Sequence, residues 1–264
     1  LQDELNLWAE KNAREIARLK ENERYRKEFL GNVSHEIKTP IFTIQGYILT
    51  LLDGGLEDEN INRKYLERSE KSIDRLINIV QDLEEISKLE SGSLVLEPER
   101  FDIVALVREI AESIEIEAAA RHITFRIGTS NFQPPVLVYA DRRKISQVIM
   151  NLLINSVRYG RDNGTTTVSF VDMYDRVMIE VADNGVGIAE EYIPRVFERF
   201  FRVDKSRSRE QGGTGLGLAI VKHILEAHGQ VITLRSKLGE GSTFSFALAK
   251  EAPKANPVSA TKSV

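Results

Sequence analysis

The sequence predicts two structural classes in one chain, an all-α stretch followed by an α/β domain. Three observations carry this. Up to about residue 92 the apolar side chains recur every three or four positions, broken once by Asp53-Gly54-Gly55. From about residue 101, short runs of strand-like residues exchange with longer helical patterns, the alternation of a sheet layered by helices. Between them, Ser91-Gly92-Ser93 and Pro98 have the composition of a linker.

Residues 1–28 are charge-rich, with helically spaced Leu1, Leu5, Trp8, Ile16, Leu19 and Tyr25 interrupted by Asn12, Glu15 and Asn22. They read as a solvated helix or as a signalling helix that carries register into the His35 helix, since no break separates the two. In residues 29–92 a first helix carries the apolar stripe Leu30, Val33, Ile37, Ile41, Ile44, Ile48 and Leu51. A second begins near Asp58, with Leu66, Ile73, Leu76, Val80 and Leu83 close to a heptad pattern. Two such helices form a hairpin, and one hairpin cannot enclose its own apolar stripe. Pairing with a second copy as a four-helix bundle is the economical solution.

After a linker over residues 93–100, residues 101–250 read as the α/β domain. Asp102 and Asp141 are placed to cap helices, the first lined by Ile103, Leu106, Val107, Ile110 and Ile114, the second by Ile145, Val148, Leu152 and Val157. Strands are expected at 123–127, 136–139, 166–171, 177–181, 231–235 and 243–248, with a helix from Leu216 to His228. Residues 251–264, rich in Pro, Ala, Ser and Lys, are expected to be disordered.

Composition narrows the function classes. A chain of 264 residues with 42% apolar content can bury a real core, and the net charge of −4, with both signs interspersed, gives no nucleic-acid surface. Absence of cysteine excludes disulfides and thiolate metal sites and fits a reducing compartment. No apolar run approaches the roughly 18 residues that span a bilayer. The chain starts at Leu1 inside a helical pattern and is expected to be a piece of a longer protein.

The chemistry is expected in the stretch Phe29 to Gly46. His35 falls outside the apolar stripe, so its imidazole should face water or a partner, where an imidazole is a competent nucleophile. Glu36 stands beside it, and a carboxylate held against one ring nitrogen would make the other more nucleophilic. Thr39 lies one turn on, on the same face, and Pro40 removes an amide from the helix ladder and should weaken or bend it. Taken alone, this could be a solvated histidine on an ordinary bundle helix.

Four further clusters lie in the second domain. Asn151, Asn155 and Tyr159 recur every four residues on one helix face, with Arg158 beside it. Asparagine is a poor helix former, so two in mid-helix need a reason. They are either satisfied surface amides or, for Asn155, an oxygen donor to Mg²⁺. Asp183-Asn184-Gly185-Val186-Gly187 follows an alternating strand, placing the carboxylate where it can accept from a base's amino group, although a plain Asn-Gly turn reads the same. Gly213-Thr214-Gly215-Leu216-Gly217 opens a helix, whose free amides can meet phosphate oxygens. Gly239-Glu240-Gly241 leads into the last strand and could be only a hairpin turn. Between the first two glycine clusters lies a basic, aperiodic stretch with Phe197, Phe200, Phe201, Arg202, Lys205, Arg207 and Arg209, read as a lid or as a solvated loop.

Taken together, the string Ser-His-Glu-Ile-Lys-Thr-Pro resembles the H-box of sensor histidine kinases, and Asn-Leu-Leu-Ile-Asn-Ser-Val-Arg-Tyr resembles their N-box, with Arg158 in place of a commoner Lys and Gly160 in place of a small hydroxyl residue. The glycine clusters follow in the family's order, so the resemblance covers about Phe29 to Ala249 and extends to the Bergerat ATP-binding fold. It implies a dimeric helical-hairpin domain, a Bergerat-type α/β sandwich, ATP and Mg²⁺ as cofactors, His35 as phosphoacceptor and Thr39 in dephosphorylation of a response regulator. It also implies Arg202 at the γ-phosphate and a nucleotide site built from Asn151, Asn155, Arg158, Tyr159, Asp183, Gly185, Gly187, Gly213, Thr214, Gly215, Leu216 and Gly217. The expected partners are a second copy and a receiver domain, with the chain being the cytoplasmic portion of a membrane-tethered bacterial sensor. Hydrolysing members of the wider fold carry a glutamate where this chain has Asn151, which cannot act as a base. A chaperone-like ATPase and an idle nucleotide-binding scaffold are the competing readings.

Overall fold

The computed structural model of the protein describes residues 2–90, 95–128, 135–203 and 213–251. The expected disordered tail therefore lies outside the described residues, save Glu251, as do Lys205, Arg207 and Arg209. The described residues fall into two compact units, one running to Leu83 together with Gly213 and Thr214, the other made of the rest from Glu84.

In the first unit, helix α1 (Gln2–Thr50) runs unbroken through Pro40 and into a short π-helical turn at Leu51–Gly55. Gly54 adopts φ +95, the left-handed conformation that lets a helix end and the chain reverse. The Asp58 carboxylate accepts from the Asn60 amide at 2.8 Å, and helix α2 (Asn62–Glu90) then returns. The rings of Tyr47 and Tyr65 meet at 5.1 Å near the closed end, with Arg68 over the Tyr47 ring.

Burial along α2 differs from the expected stripe. Ser69, Ile79 and Ile86 are the buried positions, whereas Leu66, Ile73 and Val80 are about half exposed. The heptad contains two adjacent apolar rows, and of these it is Ile79 and Ile86 that are covered. On α1, Leu30, Ile41 and Ile48 of the expected stripe are likewise exposed. Both helices thus present an uncovered apolar row, the deficit foreseen for a lone hairpin.

The second unit has helices α3 (Ile103–Ser113), α4 (Glu115–Ala119), α5 (Arg142–Tyr159) and α6 (Gly217–Ala227), and strands β1 (Glu99–Asp102), β2 (Thr124–Gly128), β3 (Leu137–Ala140), β4 (Thr165–Met173), β5 (Arg176–Asp183), β6 (Thr233–Lys237) and β7 (Gly241–Ala249). The five-stranded sheet has the order β2-β4-β5-β7-β6, with β2 parallel to β4 and every other pair antiparallel. The expectation of one sheet needs correcting: β3 pairs with β1 in a separate antiparallel ribbon, and β1 occupies the end of the expected linker. Asp102 explains the join. One carboxylate oxygen, Oδ1, accepts from Val104 at 3.0 Å, capping α3, and from Val136 at 3.1 Å, at the entry to β3.

Strands β4 and β5 alternate strictly, so Val168, Phe170, Val177, Ile179 and Val181 form the inner face at 0–1% exposure. The helices cover that face with Ile149, Leu152, Leu153, Ile220 and Ile224, none more than 1% exposed. Inside the core a hydrogen bond crosses from sheet to helix, from Thr166 Oγ1 to Ser156 Oγ at 2.9 Å, and ties α5 to β4. Phe170 is the largest of the fully buried side chains. Phe170→Ala is expected to destabilise the α/β unit by about 3 to 5 kcal/mol, read as a lowered urea midpoint. An unchanged midpoint would place this residue outside the core.

Candidate active site

His35 and its neighbours lie on α1. His35 is exposed and Glu36 is not: the Glu36 side chain is only 14% exposed, and its Oε2 accepts from Arg75 Nη2 on α2 at 2.8 Å. The sequence reading set Glu36 against the His35 ring, whereas this ion pair directs it across the hairpin. Thr39, expected to share the face of His35, uses its hydroxyl to donate back to the His35 carbonyl at 3.0 Å, a local bond common for threonine in helices. The next hydroxyl, Thr43, repeats the pattern onto the Thr39 carbonyl at 2.9 Å. Pro40 is buried.

In the α/β unit, a cavity of about 240 Å³ opens among α5, the segment after β5, and the start of α6. Of the residues singled out in the sequence, Asn155, Arg158, Tyr159, Gly160, Asp183, Val186, Gly187, Phe201 and Arg202 line it. Much of its wall is apolar, with Val186, Ile188, Val196, Leu218, Leu238 and Phe244. That combination suits a ligand with a flat apolar body and an anionic end. Sequence reasoning missed this apolar wall because its residues are drawn from five separate stretches of the chain between Val186 and Phe244. It also missed Arg121, which no motif marks.

Asp183 ends β5. Its Oδ1 accepts from the Gly185 amide at 2.8 Å, which closes the turn. Burial lifts the carboxyl above its ordinary value of 3.8, and the amides of Gly185 and Ser242 offset this only in part. Beyond it, Gly187 has φ +66, and a Cβ there would run into the Lys237 carbonyl. The Gly239 amide donates to the Val186 carbonyl at 2.8 Å, so the third glycine cluster, for which a mere hairpin turn was the alternative reading, holds down the first.

The second glycine cluster divides. Gly213 and Thr214 belong with the helical unit, where the Thr214 hydroxyl donates to Asp82 at 2.8 Å. Gly215 has φ +76, and a Cβ on it would lie 2.9 Å from Phe200 Cα and 3.3 Å from Arg202 Nε. Its carbonyl accepts from the Phe200 amide at 2.8 Å, which holds Phe200 at a left-handed φ of 60. Leu216 is fully buried, so its side chain belongs to the core. Asn151 does not line the cavity; its amide oxygen lies 3.4 Å from where a Cβ on Gly217 would sit. At the root of the expected lid, Phe197 packs edge-on to Phe244, and Phe201 lies near Tyr192 with Arg195 over its ring at 4.6 Å.

The raised carboxyl has a consequence for folding. Below the unfolded value Asp183 is protonated in both states and costs nothing; as pH rises through the folded value, the native state must ionise a desolvated group. This group's contribution to stability therefore falls as pH rises. Asp183→Asn keeps an acceptor for the Gly185 amide and removes the charge, so its stability relative to wild type should improve from about pH 4 to about pH 7. Urea midpoints that differ by the same amount at both pH values would contradict the assignment.

Comparison with known proteins places this geometry. Residues 25–92 match the family model described as His Kinase A (phospho-acceptor) domain, and residues 140–252 match Histidine kinase-, DNA gyrase B-, and HSP90-like ATPase. The sensor histidine kinase WalK of Bacillus subtilis (strain 168) is 36% identical over 226 residues, covering 84% of this chain and 36% of that protein. The chain thus spans about a third of the length of this curated relative. Among solved structures, the catalytic domain of histidine kinase ThkA is 32% identical with a TM-score of 0.51, covering 58% of this chain and 96% of that one. The same kinase in complex with response regulator protein TrrA is 30% identical with a TM-score of 0.68, covering 85% of this chain and 61% of that one. The chain belongs to the two-component sensor histidine kinases, with a phosphoacceptor hairpin followed by an ATPase-type α/β domain.

Proposed function

We propose that this chain is an ATP-dependent protein-histidine kinase that phosphorylates His35 and passes the phosphoryl group to an aspartate of a response regulator. The observation that carries the proposal is the pairing, in one chain, of an exposed H-box histidine with a cavity where Asn155, Arg158, Tyr159, Asp183 and Arg202 converge. Asp183, with its carboxylate at the end of β5, accepts from the adenine amino group. The apolar wall takes the faces of the base, and Arg158 and Arg202 supply charge for the phosphates. Phosphoryl transfer asks a protein for positioning and charge neutralisation more than for covalent help.

A bound Mg²⁺ would neutralise phosphate charge during transfer. The donor this chain offers is the Asn155 amide oxygen at the cavity wall, a hard ligand that suits an ion completing its shell with phosphate and water. In the transfer itself a ring nitrogen of His35 forms the new bond to the γ-phosphorus while the bond to the bridging oxygen breaks and ADP leaves. A receiver aspartate then takes the phosphoryl group from the imidazole. The relative solved with a response regulator supports that partner. The uncovered apolar row of Leu66, Ile73 and Val80 on α2 supports a homodimer through the hairpin. Among the described residues no helix is long and apolar enough to cross a membrane. Cytoplasmic placement of this portion, with a tethering sensory region elsewhere in the protein, forms part of the proposal and rests on the family.

Incubation with ATP labelled at the γ-phosphate should give a label that is lost in acid and survives base. His35→Gln is expected to abolish it while leaving ATP affinity near wild type, because nucleophile and cavity lie on different units. Acid-labile label persisting in that variant would sink the assignment. Asp183→Asn should weaken ATP binding by about 1 to 3 kcal/mol, as for a mispaired buried polar group. Calorimetry giving wild-type affinity would remove Asp183 from the base site.

Thr39 bears on the reverse reaction. Its hydroxyl is too weakly basic to attack phosphorus, but it can position a water in line with an aspartyl phosphate once it leaves the His35 carbonyl. Thr39→Ala should keep labelling of His35 and transfer to the regulator, and slow removal of phosphate from the regulator in the presence of ADP. Dephosphorylation at the wild-type rate would assign Thr39 to helix structure alone.

A further inference from the structure

We propose that Arg121 is a positioning residue for nucleotide binding, clamping the C-terminal turn of α5 from which Asn155, Arg158 and Tyr159 reach the cavity; the inference rests on reading that cavity as the ATP site. The last carbonyls of a helix have no partners within it. Here one side chain supplies most of them. Arg121, in the turn between α4 and β2, donates through Nη1 to the Val157 carbonyl at 2.7 Å and to that of Arg158, and through Nη2 to the Gly160 carbonyl at 3.0 Å. The remaining carbonyl of the turn, Tyr159, accepts from the Val186 amide at 3.1 Å, in the segment that follows Asp183. The four carbonyls from 157 to 160 are thus all engaged, three of them by one guanidinium.

The residue type is matched to the task. A planar guanidinium presents its donors in a fixed fork that can span successive carbonyls, whereas an ammonium is a point charge on a flexible stem. The cation also faces the negative end of the α5 dipole. Arg121 is itself anchored: its carbonyl accepts from the Asn163 amide at 3.2 Å, and Asp162 Oδ1 lies 3.6 Å from Nη2. With Arg121 on one side and the Val186 amide on the other, the last turn of α5 has its distance from the Asp183 turn set from both sides. Without the clamp, the three carbonyls must find water, and the turn has to be re-ordered each time nucleotide binds. That cost falls on binding rather than on the phosphoryl step.

The test uses the full chain with Arg121→Met, which keeps the apolar stem, and Arg121→Lys, which keeps the charge. ATP affinity by calorimetry and KM for ATP in His35 labelling should each worsen roughly tenfold in the Met variant, with the rate at saturating ATP within about threefold of wild type. The Lys variant should recover only part of the affinity, and it supplies the readout if the Met variant does not fold. Affinity within about twofold of wild type in both variants overturns the proposal, as does a fall in thermal stability and saturating rate with KM unchanged. A wild-type chain that binds no ATP overturns the reading of the cavity, and the clamp with it.

Discussion

The hydrogen bond from the Val186 amide to the Tyr159 carbonyl, at 3.1 Å, joins the end of α5 to the turn beyond β5, and these two elements carry most of the polar groups that face the cavity. By itself such a bond contributes only about 1 kcal/mol. It sets geometry because both partners are already placed by stronger effects. Helix α5 buries Ile145, Val148, Ile149, Leu152 and Leu153 at 0–1% exposure, and burial of each such side chain contributes about 1.5 to 3 kcal/mol. Packing therefore decides where helix and strand lie, and the backbone bond decides the register at their ends. Asp183 shows the cost of that arrangement. Its carboxyl is lifted above the ordinary range by the same burial that shapes the pocket, so the site holds a group the fold alone would not favour.

The segment between Val196 and Val203 is fixed in a related way. Phe197 seats edge-on against Phe244 of β7, and Phe200 is held at positive φ by the Gly215 carbonyl. A non-glycine residue there costs on the order of 1 kcal/mol, which the neighbouring aromatic contacts can offset. Arg202 follows two residues later and reaches the cavity wall. The second glycine cluster thus does more than open a helix: Gly215 is small so that the Phe200 backbone can approach it.

What was legible in the sequence was what repeats locally. The periodicity of α1, α5 and α6 and the strict alternation of β4 and β5 are local signals, and they located the elements to within a few residues. What was illegible depends on partners far apart in the chain. Strand β1 is four residues long with one buried side chain, Phe101, and becomes a strand only because Leu137–Ala140 pairs with it. Along α2 the sequence contains two apolar rows, and periodicity alone does not say that Ile79 and Ile86 are the covered ones. Glu36 was read against its neighbour His35, while its partner in the fold, Arg75, lies 39 residues on. Arg121 left no trace because the groups its guanidinium hydrogen-bonds are backbone carbonyls, which every sequence possesses.

In the function proposed above, the placement of Asn151 and His35 accounts for phosphoryl transfer in place of hydrolysis of the nucleotide. Hydrolysis needs a group that removes a proton from water beside the γ-phosphate, and an amide has no such basicity. Asn151 instead packs beside Gly217 at the start of α6, a packing role where hydrolysing members of the fold carry a glutamate. The proposed reaction draws its nucleophile from elsewhere, and that group would serve two encounters, first with a nucleotide and then with a carboxylate on another protein. A side chain buried in a cavity could meet one of them but not both. Exposure of His35 on α1 would satisfy both, and it costs the fold little because a polar side chain loses nothing by facing water. Its immediate surroundings are fixed by bonds that leave the ring outward, the Arg75 ion pair holding Glu36 and the Thr39 hydroxyl closing on the His35 carbonyl. The backbone and the neighbouring carboxylate at His35 are thus engaged within the hairpin, while the imidazole itself stays accessible.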